Sequence, residues 1–371
     1  MSPGQRVCSA AGREGETNAC WDQERDGGAE GDRTLGLGIA NATLSQLSYS
    51  PIRRRLSSSL DRGGQQRNGF GLEYGAMAAV KSTNGSQLAL PIARERYLDR
   101  HWDKGGRSFY FFDFDDNVVR LTTPIFVFDR DTGAELALST AQFAAASPQL
   151  GRPGPWQRFE VRGSDTTGSF RRFRDLDAAE PAPGAEQPLV EDVNAALALP
   201  DHEWKGPSWE LFFHAVHNQR ALAIITARGH HPRTVARGVA RLRQEGHLTA
   251  LPNYLAILPV SHRATRAGLG DPRGERPIPQ LKRAAIVHAV EAAMARYGAN
   301  PFHRFGMSDD APDNLALVAE AMRQLKQRYP ENAFFVIDAS RRPVVKTEIL
   351  ATGSESEEVA DVGQLELFSP A

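Results

Sequence analysis

The residues best equipped for chemistry are acids at the end of an aromatic run, Phe109-Tyr110-Phe111-Phe112-Asp113-Phe114-Asp115-Asp116-Asn117. Crowded carboxylates repel one another and destabilise a fold unless a cation or a reaction engages them. Asp is also common where strands stop, so the group reads either as a strand-end turn or as the floor of an active site. Three later features have the chemistry to complete such a floor. The apolar run Ala221-Leu222-Ala223-Ile224-Ile225 ends at Thr226, whose hydroxyl either holds an anion or caps a helix. Lys282 is the only lysine between Thr226 and Asp309 and stands at the opening of a helical pattern. It is either a solvated surface amine or a fixed positive charge. Asp309, Asp310 and Asp313 form either a capped turn ahead of a helix, with Pro312 near its start, or a set of hard oxygen ligands.

The elements that must position these groups are read from hydrophobic period. The run at 108–114 is apolar enough for a strand buried on both faces. Arg94 to Lys104, before it, is charged and helix-compatible. Residues 124–128 and 135–138 flank Asp129-Arg130-Asp131-Thr132-Gly133, the pattern of a β-hairpin. Residues 144–204 carry short aromatic pieces and a Pro- and Ala-rich stretch at 178–190, which reads as an irregular insert outside the core. Beyond it, helical spacing at Trp209–Asn218, Pro232–Gly246, Gln280–Tyr297 and Asn314–Tyr329 alternates with strands. Those strands are Ala221–Thr226, Tyr254–Val260, Phe302–Met307, Ala333–Ile337 and Pro343–Ile349. Leu281, Ala285, Val290, Met294 and Tyr297 share one helix face. The alternation predicts an α/β fold with a doubly wound, mainly parallel sheet. Such sheets bind ligands at the carboxyl ends of their strands, where Asp113, Thr226 and Asp309 fall.

Composition narrows the function classes. A chain of 371 residues with a formal net charge of -1 lacks the basic surface that nucleic-acid binding needs. No apolar run approaches the roughly 18 residues of a membrane span, and no apolar core follows the N-terminal charges as in a secretory signal. Cys8 and Cys20 are the only cysteines, so the remainder has neither disulfides nor thiolate metal sites. These features predict a cytoplasmic protein. Residues 1–90 read as a disordered extension and 351–371 as an acidic flexible tail. The α/β core then spans 91–123 and 205–350, interrupted by the insert 124–204.

Taken in order, the four chemical groups resemble the motifs of the haloacid dehalogenase (HAD) superfamily of phosphohydrolases. Asp113-Phe114-Asp115 matches the first motif, Ala221–Thr226 the second, Lys282 the third, and Asp309 with Asp313 the fourth. The resemblance covers about residues 105–123 and 205–340. It departs at Asn117, where the family usually has Thr or Val, and this alters one local hydrogen bond.

The resemblance implies a Rossmann-like HAD core, with the hairpin after Asn117 as a flap and the insert 124–204 as a substrate-selecting cap. It implies Mg²⁺-dependent hydrolysis of a small phosphorylated substrate, a phosphomonoester. Asp113 would attack phosphorus to give an aspartyl-phosphate. Asp115 would protonate the leaving oxygen and later take a proton from water. Thr226 would bind a phosphoryl oxygen, and Lys282 would offset negative charge. Mg²⁺ would be held by Asp113, the backbone carbonyl of Asp115 and Asp309, with Asp310 or Asp313 as a direct ligand or behind it. Arg228 would touch substrate or be an exposed arginine at a helix start. Arg171, Arg172 and Arg174 would meet an anionic substrate or form a solvated basic face. His214 and His217, one helical turn apart, have no acidic or Cys partner and read as structural. His230 and His231 fall in the loop before the Pro232 helix. Two readings compete with the phosphatase: a receiver-like module driven by phosphorylation, and a HAD-like binding scaffold without turnover.

Overall fold

The computed structural model describes residues 95–176, 186–350 and the strand Glu355–Glu358. The strands are β1 (Ser108–Phe112), β2 (Ile125–Asp129), β3 (Glu135–Leu138), β4 (Phe159–Glu160), β5 (Ala221–Thr226), β6 (Asn253–Pro259), β7 (Arg304–Asp309), β8 (Ala333–Asp338), β9 (Val345–Ile349) and β10 (Glu355–Glu358). The helices are α1 (Thr140–Ala146), α2 (Pro188–Leu197), α3 (Asp201–Trp204), α4 (Trp209–His217), α5 (Pro232–Gln244), α6 (Arg263–Gly268), α7 (Ile278–Tyr297) and α8 (Pro312–Arg328).

One sheet runs β10-β9-β8-β7-β1-β5-β6. Its pairs β8-β7, β7-β1, β1-β5 and β5-β6 are parallel. The strand order therefore reverses beside β1: the chain goes one way through β5 and β6, then returns to the other side for β7 and β8. That reversal is the topological switch point where open α/β sheets leave a crevice. β9 follows β8 with no intervening helix, and the short connection forces antiparallel pairing.

β1 is buried on both faces, as its aromatic run predicts. Phe109 and Phe111 enter a cluster with Ala221, Ala223, Ile225, Phe305 and the inner faces of α7 and α8. Phe112 points the other way, into a cluster with Leu222, Ile224 and residues of α2, α4 and α5. Helices thus cover both faces of a mostly parallel sheet.

The sequence reading is corrected in four places. Of the segment read as helical at 94–104, the described residues 95–104 hold only the short 3-10 turn Trp102–Lys104. The stretch 144–204 is not wholly irregular or outside the core. Leu189, Val193 and Ala196 of α2, with Trp204 of α3, pack into the same cluster as Phe112. Their spacing is helical, but the neighbouring Pro- and Ala-rich composition hides it. The hairpin read at 124–138 is present as β2 and β3, but the stretch after it is not irregular throughout: β4 pairs with β2, and residues 125–173 form a smaller unit with Ile125, Val127, Leu138 and Phe143 buried together. Fourth, the acidic tail contains β10, paired antiparallel with β9. The extension 1–90 and the rest of the tail lie outside the described residues.

Candidate functional site

The parallel register of β1 and β7 brings the acids together. Phe112 pairs with Ser308, and Asp113 N donates to Ser308 O at 3.0 Å, so the ladder continues one residue past the strand. Alternation then places Asp113 on the face of Phe111, and Asp309 on the face of Phe305 and Met307, both toward α7. α7 buries Ile278, Leu281, Lys282, Ala285 and Ile286, so Lys282 occupies a position in the helix's apolar stripe. Its Nζ lies 3.2 Å from Asp113 Oδ1 and 3.5 Å from Asp309 Oδ2.

Asp113, Asp309 and Asp310 offer carboxylate oxygens that all lie within 4.8 Å of one another. One ammonium faces three carboxylates. Burial pushes the Asp113 carboxyl well above the usual range; Lys282 pulls it down, and Asp309, Asp115 and Asp310 push it up again. Asp310 is pushed up to about 8 by burial, then by Asp309 and Asp116. Burial alone would lower Lys282, but the charges of Asp113 and Asp309 more than reverse this and raise it. Asp309 Oδ1 accepts from Ala311 N at 3.0 Å and Asn314 Nδ2 at 3.1 Å. Asn314 Oδ1 is buried without a hydrogen-bond partner, and Asp309 Oδ2 has none besides its 3.5 Å ion pair with Lys282 Nζ. Excess negative charge and oxygens short of partners are what a hard dication would satisfy.

Asp313 is not part of this group. It is exposed on α8, whereas Asn314 is buried and faces Asp309. A helix turns about 100° per residue, so α8 starting at Pro312 carries 313 outward and 314 inward.

Asp115 faces a second set of donors. Thr226 Oγ1 donates to its Oδ2 at 2.9 Å. Arg228 Nε donates to its Oδ1 at 2.7 Å, and Arg228 Nη2 is also 2.7 Å from that oxygen. Arg228 is 1% exposed and therefore not a solvated arginine at a helix start. Its Nη2 donates to Thr123 Oγ1 at 2.6 Å, and Thr123 donates to Asp192 Oδ2 at 2.6 Å. Asp115 is thus brought beside Thr226 and Arg228, and its carboxylate is outside the three-acid group.

The turn between the two acids is fixed from below. Asp116 has φ 61, the left-handed region. Asn117 is fully buried; its Nδ2 donates to Asp113 O at 3.1 Å and Ser308 O at 3.0 Å. Ser208 Oγ donates to Asn117 Oδ1 at 2.7 Å. Asn117 therefore ties β1 to β7 across the switch point. Gly206 passes so close that an added Cβ would lie 2.3 Å from Asn117 O. Sequence reasoning missed Asn314 and Ser208 altogether, read Ser308 only as part of a turn, and treated Asn117 only as a departure. For Asn314 a signal existed: it extends the buried stripe Val318, Ala321, Met322 and Leu325 by one turn.

The histidines reading as structural have such roles here. His217 Nδ1 meets Thr249 Oγ1 and Nε2 meets Glu95 O, both at 3.2 Å. Arg171, Arg172 and Arg174 form ion pairs with Glu135, with Glu191 and Asp192, and with Asp165. No helix of the described residues is long and apolar enough to cross a membrane.

The site and the α/β sheet together define a protein with a cluster of acids at a topological switch point. No family model, no curated protein and no solved structure matches this chain.

Proposed function

We propose that this protein is a HAD-like phosphohydrolase that cleaves phosphomonoesters through an aspartyl-phosphate on Asp113. The observation that carries the reading is the placement of Asp113: at the end of the central strand, 3.2 Å from Lys282 Nζ, beside Asp309 and Asp310. A carboxylate nucleophile needs a nearby fixed cation to approach an anionic phosphoryl group. Lys282 meets that need and cannot move away without burying an unpaired ammonium.

Asp113, Asp309 and Asp310, with the backbone carbonyl of Asp115, would hold Mg²⁺. When bound, that ion neutralises phosphoryl charge and keeps Asp113 deprotonated. Asp115 stands two residues from the nucleophile, where it can protonate the leaving oxygen and afterwards accept a proton from the attacking water. Thr226 and Arg228 donate to Asp115 in this structure, and the same donors suit a phosphoryl oxygen. The unit 125–173 contributes no residue to the Asp113–Lys282–Asp309 group, which fits a cap or flap role. A receiver-like module fits less well, because a second acidic pair, Asp309 and Asp310, follows the lysine.

The test is hydrolysis of para-nitrophenyl phosphate with Mg²⁺, with EDTA as control and Asp113→Asn as variant. Turnover that requires Mg²⁺ and is lost in Asp113→Asn, with circular dichroism unchanged, is expected. Full activity in that variant rejects Asp113 as nucleophile.

A further inference from the structure

The loop after β5 meets the segment 171–175 along a closed seam. Gly229 N donates to Phe173 O at 2.8 Å, His231 N donates to Asp175 Oδ2 at 2.9 Å, and the Arg228 guanidinium lies 4.7 Å from the Phe173 ring centroid. Half of the partnerless buried side-chain polar atoms among the described residues fall here: Arg172 Nε, Asp175 Oδ1, Arg228 Nη1, and both ring nitrogens of His230. Each such atom is destabilising where it stands, by about 1–3 kcal/mol. A concentration of them marks a place where a ligand's polar atoms are missing.

The chemistry of the missing ligand follows from what is already satisfied. Arg228 is paired with Asp115, Arg172 with Asp192 and Glu191, and Arg174 with Asp165. None of these three arginines is left as an unpaired positive charge to recruit a second anion. His230 is fully buried and neutral, pushed down to about 2 by burial and by Arg228, Arg174 and Arg172, so it offers one N–H and one lone pair. The arginine atoms only donate, and Asp175 Oδ1 accepts. A set of donors and acceptors without net charge matches hydroxyl groups, each of which can do both.

We propose that this seam is the leaving-group subsite and that it takes a polyhydroxylated alcohol, making the substrate a polyol or sugar monophosphate. The inference rests on the phosphohydrolase reading, since Arg228 joins the seam to Asp115, the group that would protonate the leaving oxygen. The ligand enters with segment 171–175 lifted from loop 227–231.

Matched pairs test it: inositol monophosphate against cyclohexyl phosphate, and glycerol phosphate against propyl phosphate, each with wild-type protein and Mg²⁺. The hydroxylated member is expected to have the higher kcat/KM by roughly tenfold to a hundredfold, and His230→Phe and Asp175→Asn are expected to shrink that ratio. Equal kcat/KM within both pairs, with para-nitrophenyl phosphate still hydrolysed, overturns the subsite and leaves the phosphohydrolase reading standing. A wild-type preference that survives intact in both folded variants also overturns this assignment. No turnover of any phosphomonoester overturns both.

Discussion

Arg228 grips Asp115 from inside the protein: its Nε and Nη2 both reach Oδ1 at 2.7 Å, and the arginine is 1% exposed. A pair this buried is strongly coupled, because each partner's removal strands the other. A double-mutant cycle with Arg228→Met and Asp115→Ala is expected to give a coupling energy of about 2 kcal/mol by urea unfolding. A value near zero would show that solvent screens the pair.

Lys282 carries the only positive charge within 4 Å of Asp113 among the ion pairs of the described residues. Lys282→Met keeps the side chain's length and removes the ammonium. Its loss is expected to lower unfolding free energy by about 3 kcal/mol without metal. The same variant is expected to lower kcat/KM for aryl phosphate at least tenfold. Unchanged kinetics would assign the charge-offsetting role elsewhere.

The acid group makes stability depend on pH in a defined direction. Asp310, pushed up to about 8 in the folded protein, has an ordinary carboxyl range near 3.8 when unfolded. Between those values the folded state holds a proton that the unfolded state has lost, so unfolding free energy falls as pH rises. Asp113 shifts in the same direction. Metal-free protein is expected to lose Tm as pH goes from about 5 to about 8, with a shallower slope in Asp310→Asn. A wild-type slope in that variant would remove Asp310 from the explanation.

Mg²⁺ is expected to stabilise the folded protein by about 2.7 kcal/mol at one hundred times its dissociation constant. Asp309→Asn should abolish most of that gain, whereas Asp313→Asn should leave it intact because Asp313 is exposed. Differential scanning calorimetry with and without Mg²⁺ distinguishes the two. An equal loss in Asp313→Asn would contradict its placement.

Asn117 bonds Asp113 O and Ser308 O from a fully buried position. Asn117→Ala leaves both carbonyls and Ser208 with lost partners, at about 2–3 kcal/mol of stability. Asn117→Asp removes the donor to two carbonyls and is expected to be at least as destabilising. Chemical denaturation of both variants checks this.

The fold was legible where hydrophobic period is strong. β5 and α7 are long, regular and buried, and their period alone places Thr226 at a strand end and Lys282 at the opening of a helix, which begins two residues earlier than read, at Ile278. Asp313 was misplaced for a physical reason: motif spacing counts residues, whereas a helix start sets an angle, and Pro312 fixed that angle one residue away. Arg228 was legible as a candidate substrate contact, but its burial was not, because arginine's usual place is the surface and only the fold supplies Asp115 and Thr123 to receive it. α2 was hidden by the neighbouring proline- and alanine-rich stretch, which resembles linker in composition. The bridging of two strands by Asn117 depends on Ser308, a residue far along the chain, and so left no local signal.

The switch point at β1 and β7 has one more consequence. Nucleophile, lysine and the acids beside them all come from the strand ends and α7, and none from residues 125–173. Substitutions within 125–173 can therefore accumulate while Asp113, Lys282, Asp309 and Asp310 stay in place. Arg228 tethers the two parts, because it holds Asp115 and meets Phe173 at once, so a change of specificity that spares Arg228 leaves the catalyst as it is.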